Sequence, residues 1–144
     1  MGWQKFYLPT RTISMKFFLI LSTVLCTMLY LNTSLQTQTP VVGTPIKLGS
    51  IEVAQNDFPN QMNWKTAKKA CAKLGKGWRL PTSRELKSMY ENRSKIGGFS
   101  EGTYWTSSRC TFSKTGYLIL TFKDNAEWWS EGENAWTIRA VRTL

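Results

Sequence analysis

The stretch Gly77-Trp78-Arg79-Leu80-Pro81-Thr82-Ser83-Arg84-Glu85-Leu86 decides the fold. Pro81 has no amide hydrogen and cannot sit inside a helix, and it drives Leu80 to extended backbone. Thr82 followed three residues later by Glu85 forms a capping box. The Thr82 hydroxyl accepts the Glu85 amide, and the Glu85 carboxylate accepts the Thr82 amide. The segment is therefore expected to be a short buried strand or turn that launches a helix. Trp78 and Leu80 are expected in the core, and Arg79 is expected to hold a structural polar contact, with Glu85 a candidate partner. Nothing in the stretch performs chemistry by itself.

An amphipathic helix is expected before it. Asn63 suits an N-cap, and Trp64, Ala67, Cys71 and Leu74 recur at helical spacing. Gly75 or Gly77 supplies the left-handed stop. The second helix is expected over about Ser83 to Lys95, with Leu86, Met89 and Tyr90 inward, and Gly97-Gly98 ending it. Alternation in Ile51 to Val53 predicts a first strand. Thr103 to Ser107, Gly116 to Phe122, Ala126 to Ser130 and Trp136 to Arg142 read as later strands. Gly116 to Phe122 is apolar on both faces, as a central strand must be. Lys123-Asp124-Asn125 makes a hairpin turn. The whole is an α+β domain with two helices on a mostly antiparallel sheet.

The 144 residues suffice for one domain and a leader. Lys5, Arg11 and Lys16 precede the uncharged run Phe17 to Leu31, the pattern of a secretory signal. Met15 offers a second start, Cys26 raises a lipoprotein anchor, and cleavage is expected near Thr33 to Gln36. Residues 1–35 are thus assigned to an extension with signal or anchor, 36–48 to a Thr/Pro/Gly-rich linker and 49–144 to the domain. The protein is expected outside the cytoplasm, touching a membrane only through its N-terminal segment. In such a compartment Cys71 and Cys110 can bridge; as an alternative they are separate buried thiols. The chain has no His, which removes the commonest general base and His-based zinc sites.

Several ordered blocks resemble one bacterial family. They are Met62-x-Trp64-x-x-Ala67-x-x-x-Cys71-x-x-Leu74-Gly75, Trp78-Arg79-Leu80-Pro81-Thr82-x-x-Glu85-Leu86, Gly97-Gly98-Phe99, Tyr104-Trp105-Thr106-Ser107-Ser108 and Ile138-Arg139-Ala140-Val141-Arg142. Together, over about Leu48 to Leu144, they are similar to the C-terminal domain of Lcl-type collagen-like adhesins, a secreted domain of unknown function in most proteins that carry it. The resemblance implies a C-type-lectin-like fold and, by way of the adhesins, surface attachment and binding of sulfated polysaccharide. No collagen-like repeat is present, so the adhesin's multivalency is not implied. The cysteine that pairs with the first-helix cysteine in animal C-type lectins is missing from the last strand, which leaves Cys110 as the candidate partner of Cys71. The Arg-Leu-Pro-Thr block is also similar to formylglycine-generating enzymes, whose reactive cysteine pair lies late in the chain; here only Cys110 does.

Three residue sets carry functional expectations. Asp124, Glu127, Glu131 and Glu133 with Asn134 lie in the turns where lectin-like folds hold calcium, which takes six to eight oxygens. Their spacing is irregular, so solvated turns are the alternative, and no other cofactor is expected. Trp105, Trp128, Trp129 and Trp136 form an aromatic set. Neighbours Trp128 and Trp129 point to opposite faces of a strand, so one can be core and the other a sugar-stacking platform; otherwise both are buried. With Asn125, Glu127, Glu131, Glu133 and Asn134, the tryptophans Trp105, Trp128 and Trp129 are the ligand-binding candidates. Third, residues 65–95 carry ten basic and two acidic side chains. Lys65, Lys68, Lys69, Lys73 and Lys76 could attract a polyanion or be a solvated face. No nucleic-acid motif is present. Arg139 and Arg142 read, like Arg79, as structural. The expected role is non-enzymatic binding of carbohydrate or an anionic matrix polymer. The alternatives are a structural or protein-interaction module of the cell envelope and a cysteine-dependent oxidase.

Overall fold

A computed structural model describes residues 41–144. The leader expected over residues 1–35 and the first part of the linker lie outside the described residues. The elements are β1 (Ile46–Leu48), β2 (Ile51–Val53), α1 (Trp64–Lys73), α2 (Ser83–Glu91), α3 (Arg93–Ile96), β3 (Thr103–Arg109), β4 (Gly116–Thr121), β5 (Ala126–Glu131) and β6 (Val141–Thr143). They make two antiparallel three-stranded sheets, ordered β1-β2-β6 and β3-β4-β5. The α+β reading holds, with two sheets where one was expected.

The expected linker over 36–48 is folded where it is described. Val41 and Val42 pack on the core, and their carbonyls accept the amides of Asn56 and Gln55 at 3.1 and 3.0 Å. Ile46–Leu48 pairs with β2. Apolar Val41, Val42, Ile46 and Leu48 gain by leaving water, a pull that the Pro and Thr around them hide in composition. The closing strand is shorter than the expected Trp136 to Arg142. Only Val141–Thr143 is regular; before it Trp136 and Thr137 make single bridges to Met62 and Tyr104.

The segment Trp78–Thr82 stitches the two sheets together. Arg79 exchanges amide and carbonyl with Val141 at 2.8 and 2.9 Å, and the Pro81 carbonyl accepts the Ser107 amide at 2.7 Å. Trp78, Leu80 and Pro81 are buried. Thr82 caps α2, and the capping box with Glu85 is complete. The Glu85 carboxylate also takes both ends of the Arg79 guanidinium at 2.8 Å. That fork, more than any other contact, holds the Glu85 carboxyl below its ordinary range.

Strand β4 is the centre of its sheet and is covered on both faces. Tyr117 and Ile119 join Trp105, Ala67, Cys71, Trp78 and Ile138 on one side. Leu120 and Phe122 join Tyr104, Leu86, Met89 and Val53 on the other. The period of two along a strand separates these sets.

Arg139 is fully buried. Its Nε donates to Asp57 Oδ1 at 2.6 Å, Nη1 to the carbonyls of Ala54 at 3.0 Å and Gln55 at 2.8 Å, and Nη2 to Gly98 O. Its guanidinium lies 4.0 Å from the centre of the Phe99 ring. Tyr104 donates its hydroxyl to Asp57 Oδ2 at 2.6 Å. Burial first, then that bond, raises the phenol well above its ordinary value. Gly98 allows the approach: a Cβ there would lie 2.6 Å from Gln55 O, and its φ is +67°. Arg79 and Arg142, by contrast, have side chains 39% and 40% exposed; only Arg139 of the three is interior.

Cys71 and Cys110 are free and buried. No bridge joins them. Cys71 faces the core from α1 beside Ala67 and Trp78, whereas Cys110 closes the end of β3, where its sulfur accepts the Phe112 amide at 3.4 Å. Burial pushes the Cys71 thiol up to about 12, which suits packing and not nucleophilic chemistry.

Three outcomes are expected. Asp57→Asn leaves a buried guanidinium without its counter-charge and should cost about 3 kcal/mol in urea unfolding; a loss under about 0.5 kcal/mol would contradict the network's role. Glu85 has a folded value below its unfolded one of about 4.3. Its stabilisation is therefore full above that value and lost as pH falls through the lower folded one. Glu85→Gln should flatten the fall in stability between about pH 5 and pH 3, and an unchanged slope would contradict the assignment. Unfolded without reductant, the chain should be alkylated at both Cys71 and Cys110, and the native protein at neither.

Candidate functional site

Strand β5 is the outer strand of its sheet, paired on one side with β4. This position exposes its side chains. Trp128 is 64% and Trp129 50% exposed, so both rings stand open, contrary to the expectation that one or both are core. The physical reason is the edge. Trp128 is opposite Ile119 and Trp129 opposite Leu118, yet the helix on that sheet packs over β3 and β4. Trp105, by contrast, is fully buried and donates its Nε1 to Met62 O at 2.7 Å, which removes it from the ligand candidates. Trp136 is half-buried and donates to Ser130 Oγ at 2.9 Å.

Phe112, in the loop between β3 and β4, is 93% exposed. Sequence reasoning passed it over, because a lone Phe in a polar loop has no periodicity to mark it. It joins Trp128, Trp129, Leu118, Glu127 and Arg109 around a shallow groove of about 280 Å3. Trp129 is seated by Gly116, where an added Cβ would lie 3.0 Å from the Trp129 ring. Glu127, on the same face as Trp129, is anchored to α2. Its Oε2 accepts the Ser83 hydroxyl and pairs with Lys87 Nζ at 3.1 Å. The Ser83 bond, then Lys87, holds its carboxyl below the usual range, so it is ionised at neutral pH.

A second, larger cleft of about 730 Å3 lies beside it, lined by Trp64, Lys65, Arg109, Lys114, Glu131 and Glu133 among others. Its floor is a stack: Trp64 lies 3.7 Å from Tyr117 at 13°, with Arg109 4.6 Å from Tyr117 and Lys68 5.4 Å from Trp64. Lys65, Lys68, Lys69 and Lys73 are exposed along α1, and Lys76 in the turn after it. This face is basic and open.

The calcium candidates are not brought together. Asp124 lies in the hairpin turn before β5, where its Oδ1 accepts the Ala126 amide at 3.1 Å. Glu131, at the far end of that strand, accepts the hydroxyls of Ser113 and Thr115. Glu127 is held by α2. No set of three acidic, Cys or His side chains able to hold a metal occurs among the described residues. Asn125 takes the left-handed turn conformation, φ 57°, and Asn134 donates to Ser130 Oγ at 2.9 Å; both stay exposed. The structure thus gathers Trp128, Trp129 and Glu127 at one groove, puts Glu131 and Glu133 at the neighbouring cleft, and leaves Asp124 and Asn125 at the hairpin tip. No helix among the described residues is long and apolar enough to cross a membrane.

Solved structures share this architecture. EMS16, an antagonist of collagen receptor integrin alpha2beta1, superposes with a TM-score of 0.53 at 15% identity, over 73% of this chain and 99% of that one. A chain of the von Willebrand factor A1 domain–botrocetin complex gives 0.53 at 11%, over 74% and 100%. The snake venom toxin convulxin gives 0.52 at 11%, over 74% and 98%. At such identities the likeness establishes the fold, which is C-type-lectin-like. No curated protein matches the chain in sequence. The profile of the Lcl C-terminal domain, however, matches residues 35–142, and the chain belongs to that family.

Proposed function

We propose that the protein is a secreted, non-enzymatic binding module that holds carbohydrate on the open edge of β5, with the basic face of α1 available to an anionic matrix polymer. One observation carries the reading: Trp128 and Trp129 are both solvent-exposed on the edge strand. Burying such rings is the favourable course for a folding chain, so two adjacent open tryptophans beside polar groups mark a surface kept for a partner. Indole faces suit the C–H faces of sugar rings, being large and flat with few rotamers to freeze. The C-type-lectin-like fold supports a binding role. The absence of His from the sequence and a Cys71 thiol pushed up to about 12 count against a nucleophilic enzyme. The charged-then-apolar N-terminal segment supports an extracytoplasmic address.

A protein partner is the competing reading, favoured by one printed fact: EMS16 is described as an integrin antagonist. The test is the full chain on a panel of immobilised glycans and sulfated polysaccharides, with calcium and with EDTA. Saccharide binding should survive EDTA. A stacked ring is worth on the order of 1 kcal/mol, so Trp128→Ala/Trp129→Ala together should weaken it at least about tenfold while leaving the melting temperature nearly unchanged. Retention on a sulfated polysaccharide should fall steeply with salt. A flat panel in both conditions, with a discrete envelope protein captured by crosslinking through β5, would replace this reading by the protein-docking one.

A further inference from the structure

The two surfaces differ in charge chemistry, and that difference names the ligand of one of them. At the β5 groove Trp129 and Phe112 are flanked by one carboxylate, Glu127. Glu127 is a half-used acceptor. Ser83 and Lys87 both engage Oε2, and no described residue engages Oε1. Arg109, which also borders the groove, carries its guanidinium to the opposite face of the sheet, where it stacks on Tyr117 and bonds Lys114 O at 2.9 Å. Glu127 is therefore held in place through one oxygen and has hydrogen-bonding capacity left over at the other. A fixed acceptor at the rim of an aromatic groove matches a sugar hydroxyl, which can donate to it. A chain of sulfates or carboxylates would bring like charge against Glu127, which is anchored and ionised.

Size points the same way. A groove of about 280 Å3 lies at the small end of ligand pockets, room for one or two sugar rings and not for a long strand. The cations that suit a polyanion are elsewhere, on α1 at Lys65, Lys68 and Lys69, exposed and free of ion pairs among the described residues.

We propose that the Phe112–Trp129 groove is a calcium-independent subsite for an uncharged pyranose, stacked on Trp129 with a ring hydroxyl donated to Glu127 Oε1, and that it works independently of the polyanion surface on α1. The proposal rests on the carbohydrate reading above and narrows it to a ligand class. The Ser83 and Lys87 contacts make α2 the support of the subsite, and Gly116 sets the Trp129 ring. The groove then reads a terminal or short neutral sugar, while α1 senses the charge of the surrounding polymer.

The experiment titrates the full chain in EDTA with neutral trisaccharides (maltotriose, cellotriose and chitotriose) by calorimetry and tryptophan fluorescence, and runs the same samples on a heparin column. At least one trisaccharide should bind with an affinity that changes less than about twofold between 0.05 and 1 M salt, since uncharged ligands release no counterions. Trp129→Ala should weaken it about fivefold, and Glu127→Gln about tenfold, by loss of a charge-assisted acceptor. Neither should alter heparin retention. Lys65→Glu/Lys68→Glu/Lys69→Glu should abolish heparin retention and leave the trisaccharide affinity unchanged. Circular dichroism of each variant should match the parent. If no trisaccharide binds but Trp129→Ala releases the protein from heparin, the groove takes the anionic polymer; the subsite proposal is then overturned and the carbohydrate reading survives. If heparin competes with the trisaccharide, the independence of the two surfaces is overturned. If neither neutral nor sulfated saccharide binds, both readings fall together.

Discussion

The interaction on which the rest of the structure depends is the buried ion pair between Arg139 and Asp57. These residues are far apart in sequence, and their contact is made at 2.6 Å with the guanidinium fully excluded from water. An unpaired charge there would be prohibitive, so the site exists only if every donor finds an acceptor. The carbonyls of Ala54, Gln55, Gly97 and Gly98 and the carboxylate of Asp57 supply them. Among the described residues no buried side-chain nitrogen or oxygen lacks a partner. Through one side chain the loop after β2, the end of α3 and the strand-like run before β6 are fixed together. Tyr104, donating to the same carboxylate, adds β3.

That lock and the Trp78–Thr82 seam do complementary work. The seam ties β6 to β3 by backbone bonds, and its Arg79–Glu85 fork sets where α2 begins. Once α2 is placed, Ser83 and Lys87 are placed, and with them Glu127. The candidate site is therefore built outward from the core in steps: capping box, helix, carboxylate, groove. The residues that identify the family lie in the first steps, and the residues expected to meet a ligand lie in the last.

This division explains what could be read in the sequence. The capping box, Asn63 as N-cap, the helical spacing of Ala67 and Cys71, and the two-sided apolar run of β4 are local patterns, and local patterns survive in one dimension. The same holds for the Arg79–Glu85 pair, six residues apart. The state of Trp128 and Trp129 is not local. It depends on β5 having no strand beyond it among the described residues and on which strands the helix covers, and neither follows from Ala126 to Glu131 themselves. Phe112 was missed for the same reason, as were Val41 and Val42, whose packing is set by residues Gln55 and Asn56 across a sharp fold. The acidic residues show the opposite case. Asp124, Glu127 and Glu131 are near in sequence, but a six-residue strand holds the first and last at opposite ends.

The central claim is that ligand contact belongs to the β5 edge and not to the interior tryptophans. The most direct measurement is the indole N–H region of a nitrogen-15 spectrum during titration with a bound neutral oligosaccharide. The account requires the signal of Trp129 to move and saturate, while those of buried Trp78 and Trp105 stay fixed. Saturating shifts at Trp64 or Trp136 with Trp128 and Trp129 unmoved would contradict it.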